Sequence, residues 1–176
     1  QNVLHFFSKD RRFEEFIKFI NSNMKDAIQK WLDDFVTKPN SLLNGFPPCP
    51  YARAAIVDYI ETNHIRSALD DLLKNWTDDV QVVIVHTSTE NYTPGHLSHI
   101  VDEFNEIAMK QDIVALEDHP NDEEFVNGVH MNFGECIIVL VQRLSKVNEA
   151  SALLKKKGYY DTWSKENLDD VVNWRE

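Results

Sequence analysis

The hydrophobic pattern changes period along this chain, and the changes mark its elements. Between residues 10 and 37, Phe13, Phe16, Ile17 and Ile20, then Met24, Ala27, Ile28, Trp31, Leu32 and Phe35, recur at steps of three and four. Asn21-Ser22-Asn23 separates the two runs, so the spacing predicts a helical hairpin. Thr37 to Pro48 is rich in Pro, Asn, Ser and Gly and predicts a connection. Beyond it the pattern predicts a short helix after Cys49, a strand at Tyr59 to Ile65, a helix at Arg66 to Trp76 and a strand at Val80 to Thr87. A helix at Pro94 to Lys110, strands at Asp112 to Asp118 and Glu135 to Gln142, and a helix at Leu144 to Lys157 follow. Val82 to Val85 and Ile137 to Val141 are apolar without alternation, which predicts central strands covered on both faces. Gly158 is placed to end the penultimate helix in a left-handed cap, and Ser164 to start a last one, with Trp163 and Leu168 at the spacing of a hydrophobic staple.

Together these elements predict one α/β domain over residues 1–176: a hairpin at 1–37, a connection at 38–48 and a sheet-containing core at 49–176. The sheet is expected to be mixed, with about four strands flanked by helices. A length of 176 residues, 43% of them hydrophobic and only five of them glycine, suffices for a substantial core. The formal net charge of −11 argues against nucleic acid as a partner, because no surface of that balance neutralises phosphate. The longest apolar run, Cys136 to Val141, is far short of the roughly 18 residues that cross a bilayer, so no membrane insertion is expected. Two cysteines make no disulfide framework and point to a reducing, cytoplasmic setting. The chain opens at Gln1 without an initiator methionine or a signal-like stretch, which leaves secretion open. Asn75 and Asn91 stand in glycosylation-acceptor spacing, a pattern short enough to arise by chance.

Cys49 carries the strongest chemical signal. It stands where a Pro-stiffened loop, Gly45 to Pro50, leads into Ala52, Ala55, Ile56 and Tyr59 at helical spacing. Pro50 suits the first helical position, making Cys49 the expected N-cap. Helix amides and Arg53, one turn along, would then favour the thiolate. The competing reading is a small apolar cap packed beneath the hairpin. Cys49-Pro50-Tyr51-Ala52 resembles the active-site Cys-Pro-Tyr-Cys of glutaredoxins, with Ala52 in place of the second cysteine. The resemblance covers four residues and carries over no glutathione site, since no strand pattern precedes Cys49. The strand-helix-strand-helix-strand-strand-helix succession downstream is similar to a thioredoxin-like topology, but begins after the cysteine.

Other candidates are weaker. His86 ends the Val80 to Thr87 strand, where open α/β sheets commonly frame ligand clefts, and His130 precedes the Cys136 strand. Either could serve Cys49 as acid or base. Cys136 opens an apolar strand and is expected to be structural. On the Pro94 to Lys110 helix, His96, His99, Glu103 and Glu106 share a stripe; His96, His99 and Glu103 could hold a divalent transition metal, against the competing reading of a solvated polar flank. The acidic turn Glu117 to Glu124 offers oxygen ligands without the spacing of an EF-hand. No phosphate-binding glycine motif or serine-hydrolase elbow is present. Two functional readings result. One is a small thiol-dependent enzyme or redox protein using Cys49, Arg53, His86 and His130. The other is a non-catalytic binding or assembly protein, including a viral or accessory structural component, or a metal-binding protein. The expected partner is a small molecule or another protein.

Overall fold

The computed structural model describes residues 23–176. Phe13, Phe16, Ile17 and Ile20, the first arm of the expected hairpin, lie outside them. The second arm is helical: α1 covers residues 23–31 and runs on into a π-helical turn, Leu32–Val36. From there the chain enters the expected connection and reaches strand β1, Val57–Glu61.

The remaining elements follow the predicted succession, with one added hairpin: α2 (Ile65–Asn75), β2 (Val82–Thr87), α3 (Pro94–Ala108), β3 (Ile113–Asp118), the unpredicted hairpin of β4 (Phe125–Val126) and β5 (Val129–His130), β6 (Ile137–Arg143), α4 (Leu144–Lys156) and α5 (Lys165–Val171). The main sheet has the order β1-β2-β6-β3. β1 is parallel to β2, and β6 runs antiparallel to both β2 and β3. The fold is thus a mixed four-stranded α/β sheet, and its two inner strands are those the unbroken apolar runs marked. The spatial order departs from a thioredoxin-like sheet, in which the first strand of the succession lies inside; here β1 is an edge.

Alternation along the inner strands sorts their side chains onto two faces. Val83 and Val85 of β2 and Ile137, Val139 and Val141 of β6 meet α2 and α3 through Ile65, Leu69, Leu97, Ile100, Val101 and Phe104, all buried. Ile84, Ile138 and Cys136 face the other way, onto Ile28, Leu32 and Val36 of the α1 segment. Both faces are covered, which is why neither strand alternates in hydrophobicity.

Three local departures have physical causes. The strand expected to end at Ile65 ends at Glu61, because Asn63 and His64 turn the chain. Ile65 then opens α2, its buried side chain one turn before Leu69 and its amide donating to the Tyr92 hydroxyl at 3.1 Å. The helix expected after Cys49 is only a three-residue 3-10 turn, Ala52–Ala54, capped by Tyr51. Ala55 is already extended, and the Ile56 amide donates to Gln81 Oε1, drawing the chain toward β1. The β4-β5 hairpin was not anticipated, although Asn127-Gly128 carries its signal: both residues have positive φ, 51° and 80°, as a two-residue hairpin turn requires.

Both predicted caps are present. Gly158 sits at φ 81° and closes α4 with its own amide on Lys155 O and the Tyr159 amide on Leu154 O. Ser164 accepts from the Asn167 amide at the start of α5.

Candidate functional site

Cys49 lies in the loop before the 3-10 turn. Its backbone amide donates to Val36 O at 3.0 Å, tying the loop to the end of α1, and the Tyr159 hydroxyl reaches Pro48 O at 2.5 Å. The amides of Tyr51 and Ala52 do approach the sulfur and favour its thiolate. Burial of the sulfur outweighs them, so the Cys49 thiol is pushed above its usual pKa. Cys49 is exposed, so the direction comes from protein crowded around the sulfur and not from full enclosure. The activating N-cap inferred from the Pro-stiffened loop is therefore not formed, because there is no regular helix whose dipole could act.

The other residues of the thiol reading lie apart from it. Arg53 is exposed on the 3-10 turn and is not among the groups that shift Cys49. His86 is 3% exposed on β2, on the face that also carries Ile84, and burial lowers its pKa, so the ring is held neutral. His130 is on the β4-β5 hairpin, tilted against Phe125 with ring centroids 5.1 Å apart and 4.0 Å from the Glu123 carboxylate. Among the described residues no hydrogen bond or ion pair joins the Cys49 thiol to Arg53, His86 or His130. Cys136 is buried, and its thiol is pushed to about 12 by burial first, then by Asp118, Glu135 and Glu61.

The stripe on α3 resolves into separate contacts. His99 Nε2 lies 3.3 Å from Glu103 Oε1, the i, i+4 pair its spacing allows. Arg66, from α2, takes the other carboxylate oxygen of Glu103, and the His96 ring packs on Tyr92 at 5.3 Å. Among the described residues no three His, Cys, Asp or Glu side chains are placed to share a metal ion. The expected set of His96, His99 and Glu103 thus does not assemble.

The acidic turn after β3 is a structural knot. Asp118 accepts from Asn132 Nδ2 and the Phe133 amide, both at 2.9 Å, and Asn132 Oδ1 accepts from the Glu124 amide. His119, also buried, receives the Asn121 amide on Nδ1 at 3.0 Å, so its Nε2 carries the proton that bonds Tyr92 O at 2.9 Å. The Glu124 carboxyl pays for this crowding: burial, then repulsion from Asp118, Asp122, Glu117 and Asp170, raises it to about 7.

The sheet edges supply the remaining candidate. At the β3 edge, buried Asn105 of α3 donates from Nδ2 to Ala115 O at 2.9 Å and accepts the Ala115 amide on Oδ1 at 2.8 Å. At that one residue, the pair of bonds copies what a neighbouring strand would make and blocks the middle of the edge. Sequence reading missed it. Its only signal was a polar residue on the apolar arc between Val101 and Ala108.

The β1 edge is different. Val82 N donates to Ile56 O and Thr62 N to His86 O, so residues of that parity, including Asp58 and Ile60, bond toward β2. Val57, Tyr59 and Glu61 consequently turn their backbone groups outward. Among the described residues β1 pairs with β2 alone, and the only cap on the outward groups is local, the Tyr59 amide on Asp58 Oδ1 at 2.8 Å. Beside this edge runs an open groove of about 440 Å³, bounded by Ile60, Glu61 and Thr62 on the strand side. On its far wall α2 presents Ser67, Asp71 and Asn75 in one row and Ala68 and Leu72 in the next, each at steps of four. Among the described residues no Lys or Arg lines it.

No helix among the described residues is long and apolar enough to cross a membrane. Comparison with family models, curated proteins and solved structures finds no match to this chain.

Proposed function

We propose that this is a non-catalytic binding protein that docks an extended segment of a partner protein along the outer edge of β1, in the groove against α2. The observation that carries this reading is the asymmetry of the sheet: Asn105 occupies the β3 edge, while Val57, Tyr59 and Glu61 present backbone donors and acceptors beside a ready-made groove. An added strand gains affinity from main-chain bonds and specificity from alternate side chains, which is how exposed edges bind peptides. The thiol-enzyme reading falls behind it, because burial disfavours the Cys49 thiolate and the expected acid, base and cation do not meet the sulfur.

The test is selection from a displayed library of random peptides on the full chain, followed by the same binding assay on Glu61→Pro. Glu61 faces outward, so proline there removes an edge donor without touching the ladder to β2. Enriched peptides should slow amide exchange at Val57, Tyr59 and Glu61 and bind Glu61→Pro at least about tenfold more weakly, a loss of the size expected when bonds of the added strand cannot form. Binding that is indifferent to Glu61→Pro, with circular dichroism unchanged, would remove the β1 edge from the reading.

A further inference from the structure

The groove beside β1 also restricts what can lie in it. Its floor and inner wall are apolar, from Ile60, Ala68 and Leu72, all half-buried, so the space left above them suits a small aliphatic side chain. Its charged rim is acidic. Asp71 stands on the α2 wall, and Asp58 shares the strand face of Ile60, two residues away. Of the two cations on α2, Arg66 is engaged with Glu103 on the side toward α3, and Lys74 is not among the residues that line the groove. The chain's net charge of −11 adds a long-range field of the same sign.

An extended segment presents alternate residues to one face, about 6.6 Å apart, close to the 6 Å rise between Ala68 and Leu72 along α2. One side chain of the segment can therefore settle on the apolar floor while the next on that face reaches Asp71. We infer that the partner segment is basic: an extended stretch carrying a lysine or arginine two residues from a small aliphatic residue, both turned toward α2. This rests on the edge-docking reading above and adds the chemistry of the partner to it. Electrostatic complementarity of this kind contributes chiefly to specificity and to the rate of encounter, with main-chain bonding supplying much of the affinity.

The experiment takes the tightest peptide from the selection and exchanges charges across the groove, measuring dissociation constants by fluorescence anisotropy at low and at about 0.5 M salt. Replacing the peptide's basic residue by glutamate should weaken binding about tenfold at low salt and much less at high salt. The protein variant Asp71→Lys should weaken the basic peptide similarly and restore binding of the glutamate peptide, a crossover that a structural role of Asp71 would not produce. Peptides that need an intact β1 edge but carry no basic residue, or that ignore Asp71→Lys, would overturn the basic-partner inference and leave edge docking standing. Peptides indifferent to Glu61→Pro would overturn both.

Discussion

The two edges of the sheet solve one problem in opposite ways. At β3 a side chain from the helix that precedes it takes up the outward amide and carbonyl of Ala115; Asn105 is buried to do so, and the middle of that edge is taken up within the fold. At β1 the nearest substitute is Asp58, which caps one amide from its own strand and stays in solvent. The difference is one of solvent access. A buried edge must be satisfied by protein, because an orphaned donor there costs the full desolvation penalty, whereas an exposed one can bond water until a better partner arrives. The β3 edge therefore serves stability, while among the described residues the β1 edge is left to water.

Breaking the closed edge should have the largest effect. Asn105→Ala leaves the Ala115 amide and carbonyl without partners in the core and should cost about 3 kcal/mol, read as a lowered urea midpoint with an unchanged slope. A loss of under about 1 kcal/mol would mean that water enters to replace the side chain, and the two edges would then be alike.

A smaller effect is expected at the acidic knot where β3 ends. The folded-state pKa of Glu124 is near 7, above its ordinary value of 4.5, so the folded state binds the proton more tightly than the unfolded one. The sign follows from linkage: stability contributed by this group is complete below about 4.5 and is lost as pH rises through about 7. Glu124→Gln should flatten that fall and raise stability above pH 7 by about 1 kcal/mol, a figure reduced for the exposure the residue retains. Thermal melts across pH 4 to 8, paired with the wild type, measure it; Asp118 and Glu117, also raised by burial, would leave a residual slope. A Glu124→Gln protein with the wild-type profile would show the carboxyl to be solvated.

The smallest effect belongs to the open edge. Asp58→Ala removes the Tyr59 cap, but water can take its place, so the urea midpoint should shift by only about 0.5 kcal/mol. A shift as large as that of Asn105→Ala would show that β1 is closed after all.

Much of the fold was legible because its signals are local and repetitive. The unbroken apolar runs at Val82 to Val85 and Ile137 to Val141 identified the inner strands, since a strand covered on both faces has no polar side to show. Helical spacing located α2, α3 and α4 within a few residues, and Gly158 and Ser164 marked their boundaries through backbone chemistry that needs no tertiary partner. The site was far less legible. Cys49 stood out by its sequence setting, but whether a thiol ionises depends on what surrounds the sulfur, and here that includes Tyr159 and Tyr160 from more than a hundred residues away.

What the sequence determined by itself was the mixed α/β class, the succession of the main-sheet strands and their helices, and which strands lie inside, because periodicity and capping act between residues a turn or a pleat apart. The tertiary structure decided which strands became edges. It set the order β1-β2-β6-β3, turned Asn105 onto Ala115, gave Glu103 to Arg66 instead of to a metal, and, among the described residues, left the groove between β1 and α2 open. Those outcomes depend on pairings between distant segments, for which neither hydrophobic period nor local motif carries a signal.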